Sequence, residues 1–357
     1  MDTIFQIVLV TSFLIHGILK SLVIGGVPIL MLTYYRGRYG GAHDYYRSLA
    51  QGMSQLAPMT MGLAVAFGLL AWTIIRMQYE WELTPFFDSN IGGWIVFLML
   101  LLIGFWGVVA IKRYGQDDTG SHWAIGGVVT CCMMAIAGIF VTSHIEMLSP
   151  TTSPNIQSAG VINAQDVATF WPRFLHVVFS GFAITGIVLT IYGSLRPQCP
   201  EDHALDPAPY DIRLVRYGVG WVLGGTVPQV VVGPWFMLAL PSDVRFHLVD
   251  GTTVVSLIFF MSLTLTLLSL VLLNSSLLVP QKRGLVWGGV GSLVLTTVFM
   301  VLVREEVRKV GMISQGVSVG LGELSWIVVI SVVAIMGTGL YLGGRYVTLT
   351  GNQIESG

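Results

Sequence analysis

The sequence has few charged residues and almost no cysteine. Asp, Glu, Lys and Arg make up 10% of its 357 residues, whereas they make up about a quarter of an ordinary soluble domain. This scarcity argues against a water-soluble globular fold. The formal net charge is -1, and no stripe of Lys and Arg suggests a nucleic-acid partner. Nucleic-acid binding is therefore excluded as a function class.

The three cysteines are Cys131, Cys132 and Cys199, and none of them belongs to a C-x-x-C-H sequence. Covalent attachment of a c-type haem uses that sequence. A haem in this chain would accordingly be held without a covalent bond.

Apolar residues are abundant and fall in long runs. They make up 54% of the chain, and a helix needs about 20 of them to cross a membrane. The first run, from Thr3 to about Tyr34, is too long for a signal-peptide core and lacks a basic leader, so we interpret it as a span of the mature protein. The pattern predicts an all-α integral membrane protein with a single transmembrane domain over residues 1–357. The nine predicted spans are 3–33, 53–76, 91–112, 122–144, 170–194, 214–240, 246–273, 285–303 and 323–344.

The distribution of Lys and Arg predicts the orientation, because basic residues are retained on the cytoplasmic side. With the N-terminus outside, most of the 18 basic residues fall on the inner side. The inner ones are Arg36, Arg38, Arg47, Lys112, Arg113, Arg196, Arg213, Arg216, Lys282, Arg283 and Arg345. The outer ones are Arg76, Arg173, Arg245, Arg304, Arg308 and Lys309, and the remaining one, Lys20, lies inside the first span. We therefore predict a multi-pass protein of the cytoplasmic (inner) membrane with its N-terminus outside.

Four histidines fall in the outer half of this topology: His16, His144, His176 and His247. A polar ring inside a membrane span is costly unless it is paired or ligating, so these residues are functional candidates. Haem iron accepts imidazole nitrogen, and His176 and His247 occur at similar shallow depth. We predict that they form a bis-histidine pair. The alternatives are a packed core histidine at position 176 and a surface histidine at position 247.

His16 lies deeper, about 18 Å along the first helix, and tilting of that long span would bring it nearer the outer face. An interhelical hydrogen bond to a backbone carbonyl is its alternative role.

A dense group of charges lies near the outer end of the eighth span: Arg304, Glu305, Glu306, Arg308 and Lys309. Glu305 and Arg308 are three positions apart and share a helical face. Glu305 is suited to ligate iron, and Arg308 is suited to contact a haem propionate. A solvated ion-pair cluster and interfacial anchoring of the outer basic residues are the alternatives.

Four short motifs together resemble subunit I of the cytochrome bd family of respiratory quinol oxidases. The sequence F-L-I-H ending at His16 is similar to the family's first helix, which carries an active-site haem histidine. Residues 173–176 (R-F-L-H), followed by a Ser-Gly pair, resemble the fifth-helix segment with the low-spin haem histidine. Residues 145–150 (I-E-M-L-S-P) resemble the stretch after the fourth helix, with His144 in place of an Asn. Glu305-x-x-Arg308 resembles the family's Glu-x-Gly-Arg haem segment.

The resemblance implies several non-covalent haems near the outer face. His176 would ligate the low-spin haem, and His16 with Glu305 would ligate the pair at which oxygen is reduced. Arg173, Arg308 and His144 would complete the cofactor contacts. We expect two or three haem b groups, with haem d as a further option, and a second membrane subunit.

The chain also departs from the family's pattern. The low-spin haem of the family takes a Met from the seventh helix, and here His247 would substitute. The third predicted span, 91–112, has none of the glutamates that deliver protons in the family. The long quinol-binding loop is reduced to little more than Pro241 to Phe246. Quinol is therefore disfavoured as the donor, and an external cytochrome c or a multihaem cytochrome is the expected outer partner.

These features predict a haem b-binding membrane subunit of a respiratory oxidoreductase that transfers electrons between an outer-side carrier and its haems. Whether the chain is itself a terminal oxidase stays open. His16 and Glu305 favour an oxygen site, whereas the bare third span argues against proton delivery to it. The alternative is a membrane transporter or channel with a histidine-lined path and no haem, and a structural anchor without haem is a third hypothesis.

Overall fold

The structure is a computed structural model that describes residues 2–40, 42–78, 91–114, 121–148, 164–197, 210–240, 242–279 and 282–314. Within these ranges the chain forms nine α-helices and no strand. The helices are α1 Asp2–Tyr39, α2 His43–Gln78, α3 Ile91–Tyr114, α4 Ser121–Leu148, α5 Ala164–Leu195, α6 Ile212–Ala239, α7 Ser242–Val249, α8 Val254–Leu278 and α9 Arg283–Ser314.

Eight of these helices, all but α7, are long and apolar enough to cross a membrane. The predicted all-α membrane architecture is thereby confirmed. Eight of the nine predicted spans correspond to a long helix, and the ninth, 323–344, lies outside the described residues.

The first two helices extend beyond their predicted spans. α1 runs on to Tyr39, with Arg36 and Arg38 in its last turn, and α2 begins at His43 with Asp44 in its first turn. Basic residues at a helix end and an acidic residue at a helix start are favoured by the helix dipole. The charged turns therefore continue the helices past the apolar segments.

The prediction of one continuous span over 246–273 is wrong at its start. Residues 242–249 form the separate short helix α7, and the long helix α8 begins only at Val254. Gly251 has a φ of 74°, which glycine adopts at little cost, and the Thr253 side chain caps α8 by accepting a hydrogen bond from the Ser256 amide at 3.2 Å. The segment predicted as a loop, Pro241 to Phe246, is thus mostly helical, and His247 lies in α7.

Successive long helices run antiparallel. Gly37 near the end of α1 lies against Arg47 near the start of α2, and Gly193 near the end of α5 lies against Leu214 near the start of α6. Helices α1, α3, α5 and α8 consequently begin at one side of the bundle, which we call the N-terminal side. The other long helices begin at the opposite side.

Helix α1 is central, since it packs against α2, α4, α5 and α9. It crosses α5 with backbone against backbone, because a side chain at Gly25 would collide with Gly181. Small residues allow such close approach of membrane helices. Helices α5 and α6 also pack backbone against backbone, because Gly225 lies directly against Ala183.

Candidate functional site

His16 of α1 is fixed by one ring nitrogen. Its Nδ1 lies 2.8 Å from the backbone oxygen of Ala64 in α2. A carbonyl oxygen only accepts, so Nδ1 carries the proton and Nε2 presents a lone pair. The ring makes no hydrogen bond through Nε2 to any residue in the described ranges. The bond is the interhelical one that we considered as an alternative role for His16, and it is also the orientation that metal-bound histidines commonly have.

The ring of His16 has room because position 68 is a glycine. A Cβ atom at Gly68 would lie 2.8 Å from both Cε1 and Nδ1 of the ring. Gly68 is one turn along α2 from Ala64. The same helix face therefore supplies both the hydrogen-bond acceptor and the space.

Two basic side chains approach His16 from different helices. Lys20, one turn further along α1, holds its Nζ 5.2 Å from the centre of the Phe140 ring in α4, and that ring lies 6.3 Å from the His16 ring. Arg304 of α9 holds its Cζ 4.3 Å from the centre of the Phe13 ring. The two positive charges thus lie on either side of His16 along α1.

His176 of α5 occupies a second position on the N-terminal side. Its Nδ1 is completely buried and has no hydrogen-bond partner among the described residues. The ring lies 6.4 Å from that of Phe236 in α6, and the Cζ of Arg173 lies 5.0 Å from the same Phe236 ring. The side chains of His176 and Arg173 therefore both lie beside the Phe236 ring.

Helix α7 reaches the same region through Phe236. Leu240, Val244, Leu248 and Val303 form a buried cluster against which Phe236 packs. His247 is half-buried on α7, and its backbone oxygen accepts a hydrogen bond from the Thr253 hydroxyl at 3.2 Å. No hydrogen bond or ring contact joins the His176 and His247 side chains in the described structure. Their pairing through a shared iron stays a prediction.

The other predicted site residues are only partly described. Glu305 is half-buried and directly follows Arg304 in α9. His144 and Arg308 belong to α4 and α9, but their side chains lie outside the described residues. The roles of all three stay predictions.

Packing is looser around these histidines than elsewhere in α1 and α5. Every residue of 15–20 and of 173–180 is half-buried. Next to the contact between Gly25 and Gly181 the packing is tighter, and Ile29, Leu30, Ile187 and Leu189 are buried. Such packing leaves room for a flat cofactor between helices, beside the His16 Nε2 and His176 Nδ1 atoms, which have no hydrogen-bond partner among the described residues. Those residues also contain no group of three or more His, Cys, Asp and Glu that could hold a metal ion.

Comparisons with known proteins identify the fold. No protein-family model matches the sequence, and no curated protein matches it either. A solved structure of bd oxidase from Geobacillus thermodenitrificans matches with a TM-score of 0.63, and the alignment covers 97% of this chain and 96% of that chain at 10% identity. The chain has the bd-oxidase fold. At this identity the likeness concerns the fold alone, so residue roles depend on the geometry above.

Several contacts of the site within the bd-oxidase fold escaped the sequence analysis. Ala64, Gly68, Phe140 and Phe236 are ordinary apolar or small residues in membrane spans, and no local pattern distinguishes them. Lys20 did carry a signal, because a lysine four positions after His16 shares its helical face, and a charge inside a span is a functional candidate.

Proposed function

We propose that this chain is a haem b-binding membrane subunit of a respiratory oxidoreductase, which passes electrons between a carrier on its N-terminal side and its own haems. The observation that carries the proposal is the state of two histidines within the bd-oxidase fold. His16 is oriented through Nδ1, and its Nε2 has no hydrogen-bond partner among the described residues; the buried Nδ1 of His176 likewise has none there. Such polar rings inside a membrane bundle are costly unless something binds them.

The residues fit non-covalent haem. His176 would ligate one iron, with His247 of the adjoining α7 as the expected second ligand. His16 would ligate another iron through Nε2, with Glu305 as the further candidate from α9. Bound haem would supply one-electron chemistry and, where an iron position is left open, a place for a small ligand.

The neighbouring basic residues have a role in holding such groups. Arg173 lies on the same Phe236 ring as His176, and Arg304 lies on Phe13 close to His16. Arg binds carboxylates through paired N–H donors, so these two residues suit haem propionates.

The region between α6 and α8 suits a protein partner better than a quinol. Only the short helix α7 and its capped turn fill this stretch. A cytochrome c or multihaem cytochrome on this side is accordingly the proposed carrier, and the bd-like fold suggests a second membrane subunit.

Purification of the chain from membranes, followed by a reduced-minus-oxidised spectrum and a pyridine haemochrome assay, tests the proposal. We expect a b-type signal. His176→Ala should remove about one haem per chain, and His16→Ala should remove or alter another. His43→Ala is the matched control, because His43 lies at the opposite side and its ring nitrogen lies 3.0 Å from the Gly37 carbonyl oxygen. A colourless protein would reject the redox function in favour of transport.

Addition of carbon monoxide to the reduced protein tests for an oxygen site. A spectral shift that His16→Ala abolishes would support an open iron position at His16. The absence of any shift would leave electron transfer without oxygen reduction.

A further inference from the structure

The side chain of Lys20 is charged and has no role in the haem sites proposed above. It lies in the membrane-spanning part of α1, one turn beyond His16 on the same face and about 6 Å further along the helix axis. The described part of the chain offers its Nζ no hydrogen bond and no carboxylate. Its contact there is the face of the Phe140 ring, at 5.2 Å. An aromatic face attracts a cation but supplies no opposite charge.

A second positive charge makes the position of Lys20 still less favourable. Arg304 of α9 lies on Phe13, about two turns along α1 from Lys20. Like charges repel more strongly where water is scarce, and charged groups inside membranes are normally paired or line a functional path. The side chains of Lys20 and Arg304, from two helices, therefore lie on either side of His16 along α1, and an anion between them would offset the repulsion of their charges.

Arg304 and Lys20 lie at different depths along α1. Arg304 sits on Phe13, three residues before His16 and thus nearer the N-terminal side. Lys20 sits four residues after His16, deeper in the bundle. A haem propionate that reaches toward the membrane surface would meet Arg304, whereas Lys20 lies over the Phe140 ring, whose centre is 6.3 Å from that of the His16 ring.

We infer that Lys20 forms a binding site for a small inorganic anion next to His16. The Nζ of Lys20 donates hydrogen bonds to the anion, the positive field of Arg304 reinforces binding, and the Phe140 ring holds the lysine in place. The inference deepens the proposed function, and rests on it only for the role of His16 as iron ligand.

Azide is a suitable probe, and calorimetric titration measures its binding to the full chain in detergent, whatever the haem content. We expect Lys20→Met to weaken azide binding about ten- to hundredfold, the loss that follows from removing one hydrogen bond to a charged group. Lys20→Arg should keep most of the affinity. Lys282→Met, which removes an exposed lysine at the opposite side, should bind as the unaltered chain does.

Carbon monoxide provides the neutral comparison. If haem is present, Lys20→Met should weaken azide binding while leaving carbon monoxide affinity within about twofold, because the neutral ligand makes no charge-assisted bond. Equal weakening of both ligands would show a distorted site and would overturn the inference. Unchanged azide binding in Lys20→Met would overturn it as well.

Two further outcomes separate this inference from the proposed function. Lys20-dependent azide binding to a chain that contains no haem would support the anion site and reject the redox function. If Lys20→Met instead loses haem, and haem dimethyl ester binds both chains equally, Lys20 holds a propionate and the free-anion site is rejected while the redox function stands.

Discussion

The ring of His16 fits between α1 and α2 because residue 68 has no side chain. A methyl group there would come within 2.8 Å of two ring atoms, closer than non-bonded atoms tolerate. We predict that Gly68→Ala displaces the ring, lengthens its bond to the Ala64 carbonyl and alters the spectrum of any haem bound by His16. Overpacking of this kind costs about 1–3 kcal/mol, so the thermal midpoint in detergent should also fall.

Gly62 gives the matched control for this substitution. It lies in the same helix, and a Cβ atom there would meet nothing within 4 Å. Gly62→Ala should leave the spectrum unchanged and keep or slightly raise the thermal midpoint, since alanine favours helix by about 1 kcal/mol over glycine. Equal spectra for both variants would contradict the proposed role of Gly68.

Single-residue chemistry was partly predictable from the sequence. His16 and His176 stand out because polar rings are rare in apolar runs, and their role as iron ligands stays a prediction. The acceptor for His16 was not predictable, because Ala64 is 48 positions away and acts through its backbone. Chain neighbours within one helix, such as His16 and Lys20, can be inferred from spacing, whereas partners across helices cannot.

Among the helices, the α5–α6 pair depends on a glycine without which the two backbones could not meet. A Cβ atom at Gly225 would lie 2.5 Å from both the Ala183 nitrogen and the Phe179 oxygen. We predict that Gly225→Ala lowers the free energy of unfolding by about 1–3 kcal/mol, measured as a lower thermal midpoint in detergent.

The adjacent residue offers an unusually close control. Gly224 faces open space within 4 Å, so Gly224→Ala should not lower the midpoint. If both alanine variants behaved alike, the effect would come from helix propensity and not from the contact between α5 and α6.

The turn between α7 and α8 is held by Asp250, outside the membrane-spanning helices. The Thr252 amide donates to its carboxylate at 2.8 Å, and with further donors on Thr252, Thr253 and Ser256 this bonding lowers the pKa of Asp250 below its ordinary value of 3.8. A carboxyl with a lowered pKa stabilises the turn at neutral pH, and the contribution is lost as the pH falls through that lowered pKa.

We therefore predict that Asp250→Ala speeds hydrogen exchange of the Thr252 and Thr253 amides at neutral pH, measured by mass spectrometry of the peptide that spans the turn. In the unaltered chain the protection, after correction for intrinsic exchange, should disappear only in strong acid. Asp44→Ala, in the first turn of α2, should leave this peptide unchanged.

The same turn explains where prediction of the helices failed. Eight apolar runs identified long helices, because length and hydropathy decide which segments can cross a membrane. Hydropathy could not separate α7 from α8, since the apolar residues of α7 continue the pattern. The break depends on the positive φ of Gly251 and on hydrogen bonds of Asp250 and Thr253, which are features of backbone geometry.

For the whole molecule, the orientation in the membrane stays a prediction from the basic residues. We predict that the N-terminal side faces outward. In a chain without native cysteines, Thr252→Cys should react with a membrane-impermeant maleimide in intact cells. Lys282→Cys, equally exposed but at the opposite side, should react only after lysis, and the reverse pattern would contradict the assigned orientation.

The fold of the whole chain was predictable although its sequence has diverged far from the solved relative. An identity of 10% over 97% of the chain leaves few shared residues, yet spacing of apolar spans and positions of two histidines pointed to the same architecture. Helix-to-helix distances were not predictable, because they depend on which glycine faces which backbone.

Helices α1 and α5 cross at one close backbone contact. Gly25 and Gly181 meet at this crossing, and the segments of the two helices on its N-terminal side carry His16 and His176. His16 is nine residues, or about 14 Å along α1, from Gly25. A bulkier residue at either glycine would therefore push these two segments apart and change the separation of the histidines without touching them. The spacing of the two proposed haem sites thus depends on a point that contacts neither histidine.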